Sequence, residues 1–115
     1  MKFAKIVFWI AGALGLIAII PMYMMPGSNA YYGVLGTLIA WQLAFFFIGS
    51  DPQRFRPLMI PAVLEKMLWM LTMLFFYVQA KLPLTDLLAS AATHGVLAVL
   101  FIVAFLKTPD PTERP

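Results

Sequence analysis

The stretch GSDPQRFRPLMIPAVLEK, Gly49 to Lys66, gathers three prolines and five of the chain's thirteen charged side chains into eighteen residues. Uninterrupted apolar runs flank it on both sides. A charged, proline-broken connection between two such runs is what a membrane chain shows where it turns back at the bilayer surface. The rest of the sequence can be read outward from that turn.

The 115 residues are 63% hydrophobic and only 11% charged, outside the range of soluble domains. Spanning the hydrocarbon layer takes about 20 helical residues, so the chain has length for four crossings with short loops. Four apolar segments are present, about residues 3–20, 33–50, 59–80 and 84–106. Pro21 and Pro26 with Gly27, Ser28 and Asn29 separate the first pair, Pro52 and Pro57 the second, and Pro83 the third. No alternation of polar and apolar residues runs through them, which excludes a membrane β-barrel. The expected fold is an all-α membrane protein, a four-transmembrane-helix bundle over residues 1–108, with residues 109–115 as a disordered cytoplasmic tail. A basic start (Met1 to Lys5) and the apolar run to Ile20 also have the form of a signal peptide. Ten residues with two prolines before Ala30 make a poor cleavage region, so an uncleaved helix is expected.

Cations set the orientation. With four crossings, Lys2, Lys5, Arg54, Arg56, Lys66, Lys107 and Arg114 fall on one side and Lys81 on the other. Both termini and the Asp51–Pro57 connection are therefore expected in the cytoplasm. Cysteine is absent, which excludes disulfides, thiolate metal sites and thiol redox relays. The net charge of +3 comes without a basic run interleaved with polar residues, so nucleic acid is not an expected partner.

Small residues recur at Ala11, Gly15 and Ala18 in the first helix and at Gly36, Ala40 and Ala44 in the second. Such stripes let helices approach closely, and packing within the bundle is the expected use, with a homodimer or a membrane-protein partner as the alternative. Gln42 stands opposite the second stripe. Polar groups inside a bilayer cost free energy unless partnered, which singles out Gln42, Thr72 and His94, each about 12 Å from the outer end of its helix. One layer made of these three, reached past Gln79, Asp86 and Ser90, is the expected ligand-binding site. Thr72, Ser90 and Thr93 can equally bond back to their own helix, and Asp86 suits a cap at a helix start. His94 is the only histidine, so it is the expected centre of any chemistry. No carboxylate pair or second histidine accompanies it, so neither a metal nor a cofactor is expected.

In the charged hairpin, Asp51-Pro52 has the form of a helix cap followed by proline, and Arg54 and Arg56 flank Phe55. Anchoring to lipid phosphates with a clamp from Arg54 or Arg56 to Glu65 is one expectation, and a site for an anionic headgroup is the other.

The stretch Tyr31 to Lys66, with a tyrosine and glycine opening the second helix and DPQRFRP leading to a third helix bearing Glu65-Lys66, resembles small bacterial four-helix membrane proteins that are DoxX-like in organisation. That resemblance implies a bacterial inner (cytoplasmic) membrane location and transfers no catalytic residue. Three functional classes remain: an accessory protein binding a partner, a lipid or a small apolar ligand; a small proton-coupled transporter using the polar site around His94; and an intramembrane enzyme. The first is the leading expectation. The third lacks a nucleophile or convergent carboxylates.

Overall fold

Each apolar run closes its own backbone hydrogen bonds and becomes a helix, as a chain in lipid must. The computed structural model describes residues 2–110 and 112, and among these there is no strand. Helix α1 is Lys2–Ile19 and tightens into a 3-10 turn over Ile20–Met24 at Pro21. Helix α2, Asn29–Ser50, starts where the Ser28 hydroxyl oxygen accepts a bond from Tyr31 N–H at 3.1 Å. Helix α3 is Met59–Val78, entered through a 3-10 turn at Arg56–Leu58 that carries Pro57. Pro57 therefore opens the third span rather than closing the turn before it, because a first helical turn needs no N–H there. The fourth span is α4 (Leu84–Ser90), a π-helical turn (Ala91–Gly95) and α5 (Val96–Lys107). Four spans, residues 2–24, 29–50, 56–78 and 84–107, are long and apolar enough to cross a membrane. The expected tail lies partly outside the described residues; within them, Gln53 Nε2 donates to Asp110 O at 3.0 Å.

The connections are tied by side-chain and backbone hydrogen bonds. Between α1 and α2, Tyr31 Oη donates to Met22 O at 3.0 Å and Tyr32 Oη to Met25 O at 2.8 Å. After α3, Lys81 N bonds Phe76 O and Ala80 N bonds Tyr77 O, both at 2.9 Å, with Ala80 at a φ of 58°. This is a Schellman ending with alanine where glycine is usual.

Helices α1 and α2 pack along their lengths, using Ala11 and Gly15 of the first expected stripe but not the second stripe. Gly36 and Ala40 are exposed, and so is Ala18. The seam is made instead by glycines that receive large side chains. The Gln42 side chain fills the space where Gly15 lacks a Cβ, Phe46 lies against Gly12, and Trp9 lies across Gly49. Gln42, Phe45, Phe46 and Gly49 occupy the α1 side of α2, which leaves the small stripe facing away.

Helix α5 joins this hairpin to α3, while α2 and α3 scarcely meet. The core sits at one end: Phe8, Phe45 and Phe101 are fully buried, with Phe8 stacked on Phe101 at 4.4 Å and Phe45 edge-on to it at 5.2 Å. Ala4, Val7, Ala11, Ile48, Met59, Ala62 and Ala104 complete it. At the other end, neither α4 nor the last turns of α3 has a buried residue. The molecule is 51 Å long, whereas its longest span of 24 residues covers about 36 Å. The two hairpins are closed together at the charged end, and burial thins toward the other.

Candidate intramembrane polar site

Buried polar groups gather where α3 meets the fourth span, just above the phenylalanine core. Lys66 is 3% exposed, and its ammonium lies 3.5 Å from Glu65 Oε1 and 3.5 Å from His94 Nδ1. It also sits 5.3 Å from the centre of the Phe45 ring, so α2 contributes an aromatic face to the cation. The indole of Trp69 stacks on the His94 imidazole at 4.6 Å with 29° between the rings. An ammonium can only donate, so in the neutral ring Nδ1 accepts and Nε2 carries the proton.

The backbone explains the meeting. Residues 65 and 69 are one turn apart on α3, so Glu65 and Trp69 share a face. On the fourth span, the π turn Ala91–Gly95 contains His94 and widens the helix there. Turns of this kind are frequent at functional sites.

Two polar atoms in this cluster make no hydrogen bond with the described residues although both are buried: Glu65 Oε2 and Trp69 Nε1. One is an acceptor and the other a donor. A buried polar atom without a partner costs about 1–3 kcal/mol, so a pair of opposite kinds favours any small group that both donates and accepts.

The expected layer of Gln42, Thr72 and His94 is not formed. Gln42 is buried in the α1–α2 seam, where its Nε2 donates to Leu38 O at 2.9 Å, and its Oε1 is a third unbonded buried atom. Thr72 is exposed and donates to Leu68 O at 2.8 Å. Thr93 bonds back to Ala89 O at 3.1 Å, Ser90 is half-buried, and Asp86 is exposed in the first turn of α4. Only His94 of that set lies in the cluster. Its partner Lys66 was hidden by the direction of counting. Measured from the charged end, Lys66 is about 15 Å along the third span and His94 about 20 Å along the fourth, a difference one lysine side chain bridges.

The hairpin also departs from expectation. Arg56 does not reach Glu65: its Nε donates to Phe105 O at 3.2 Å and its guanidinium lies 3.8 Å over the Phe105 ring. Glu65 pairs with its own neighbour instead. The clamp exists, but it ties the connection to the end of α5. Asp51 Oδ1 caps the turn by accepting from Arg54 N at 3.4 Å, and the Arg54 side chain is exposed beside Phe55. Among the described residues no group of three or more acidic or histidine side chains could hold a metal.

No family model, curated protein or solved structure matches this chain.

Proposed function

We propose that this is a bacterial inner-membrane protein, with both termini in the cytoplasm, that binds a small amphipathic ligand between α3 and the fourth span. The observation that carries this reading is the buried Lys66–His94 contact flanked by the unspent Glu65 Oε2 and Trp69 Nε1. The ligand class follows from those atoms: an apolar molecule with a hydroxyl, amide or carboxylic acid head. Such a head accepts from the indole and donates to the carboxylate, while the stacked rings of Trp69 and His94 offer an apolar wall. Ionisable residues inside a membrane ordinarily serve a ligand or an ion path.

The same cluster supports a second reading, proton-coupled transport, because Glu65, Lys66 and His94 form a contiguous titratable string. One set of measurements separates the two. Wild type and Lys66→Met, an apolar replacement of similar length, are purified at matched thermal midpoints and extracted for mass spectrometry, then reconstituted with a pH-sensitive dye. Ligand binding predicts a small molecule that co-purifies with wild type and drops at least ten-fold with Lys66→Met. Transport predicts proton flux that Lys66→Met and His94→Ala abolish. Equal extracts and no flux in wild type would refute both.

A further inference from the structure

A second feature lies at the charged end, on the outer side of the α1–α2 seam. A groove of about 430 Å³ is lined by Lys5, Ile6, Trp9, Ile10, Gly49 and Ser50. We propose that it seats one acyl chain of an anionic phospholipid, with Lys5 and Lys2 facing the phosphate.

The groove is laid out along the membrane normal. Lys5 lies in the first turn of α1 and Trp9 one turn deeper, while Gly49 and Ser50 are the last residues of the antiparallel α2. Its polar end is therefore at the interface, and Ile6, Trp9 and Ile10 lead inward from it. Each of these three is about half exposed, at 55%, 54% and 50%, so they form an open wall rather than core. Gly49 is what allows the shape: the Trp9 ring lies across it where any side chain would collide. A tryptophan held one turn below a lysine matches the level at which aromatic rings sit in the headgroup region.

Charge picks out the lipid class. Among the described residues the other cations at this end are engaged, Arg56 by Phe105 and Lys107 by the Phe3 ring at 4.7 Å, and Arg54 lies beside Phe55. Lys2 and Lys5 are exposed, share a face three residues apart, and make no ion pair, hydrogen bond or ring contact with the described residues. No carboxylate of the described residues lines the groove. The Ser50 hydroxyl donates to Phe47 O at 2.6 Å and keeps its lone pairs, so it can accept from a headgroup hydroxyl such as that of phosphatidylglycerol.

The test reads Trp9 directly. A Trp41→Phe, Trp69→Phe protein leaves Trp9 as the only indole and is placed in phosphatidylcholine bilayers containing an equal fraction of brominated phosphatidylglycerol or brominated phosphatidylcholine. Quenching of Trp9 by the anionic lipid should indicate a several-fold binding preference, and Lys5→Gln should cut that preference by about five-fold, the ratio equivalent to roughly 1 kcal/mol per cation near an anionic surface. Lys107→Gln, at the same end but outside the groove, should leave it unchanged. Equal quenching by the two lipids overturns the proposal. So does a loss with Lys107→Gln as large as that with Lys5→Gln, which would mark diffuse surface charge. Native mass spectrometry of the unmodified protein with the same two lipids gives a reading independent of the tryptophan substitutions: preferential retention of phosphatidylglycerol supports the site, and equal retention refutes it.

Discussion

Gly15 shows how much one missing Cβ can decide. Its place on α1 is taken by the end of the Gln42 side chain, and this contact keeps an amide buried in an otherwise apolar seam. Gly15→Ala should therefore lower stability by about 1–3 kcal/mol, the usual cost of overpacking, read as a lower thermal midpoint in detergent. Gln42→Ala in the same chain should recover part of the loss, and a double-mutant cycle with no coupling would show that the two do not meet. The importance of Gln42 could be read from the sequence, since an amide inside an apolar run has to find a partner. Which partner could not, because the choice between the two faces of α2 rests on the bulk of Phe46 and Trp9 fitting against Gly12 and Gly49. Lys66 failed to stand out for a related reason. It was counted as a flanking charge, and only the path of the hairpin shows that the third span starts at Arg56, ten residues before it.

At the level of elements, the turn signals were legible and the irregular turns were not. Pro21, Pro26, Pro57 and Pro83 mark the breaks between spans, and the helices end near them. The π turn at Ala91–Gly95 has no such signal: no proline or glycine pair immediately precedes it, and it lies where the fourth span packs against α3. The end of α3 is another case. Ala80 holds a left-handed backbone conformation, φ 58°, that costs a residue with a Cβ about 1–2 kcal/mol relative to glycine. Ala80→Gly should raise the thermal midpoint by the equivalent of about 1 kcal/mol, less what the freer unfolded chain gives back. No rise, with the hairpin between α3 and α4 unchanged, would mean that the ending is not formed in the membrane.

Over the whole molecule, the start of α1, the end of α5 and the 51–58 connection lie together. Lys107 reaches the Phe3 ring, and Arg56 reaches Phe105. Even after Lys66 is moved into the bundle, the described flanking cations are Lys2, Lys5, Arg54, Arg56 and Lys107 at this end against Lys81 at the other. That bias gives the orientation its test, which is simple because the chain has no cysteine of its own. Ser28→Cys should react with a membrane-impermeant maleimide added to intact spheroplasts, and Ser50→Cys only after lysis. The reverse pattern would invert the protein.

The pairing of Lys66 with a residue 28 positions later also bears on how the protein is made. A charged residue near the centre of a helix costs about 2.5–3.5 kcal/mol on entering the bilayer from the insertion machinery. The third span brings two of them, Glu65 and Lys66, as adjacent opposite charges. The second partner of Lys66, His94, emerges from the ribosome only with the fourth span. The third span gains its full set of contacts when the fourth follows, so biogenesis is best served if the two enter lipid as one hairpin. The Lys66–His94 contact then closes only once the fourth span is in place.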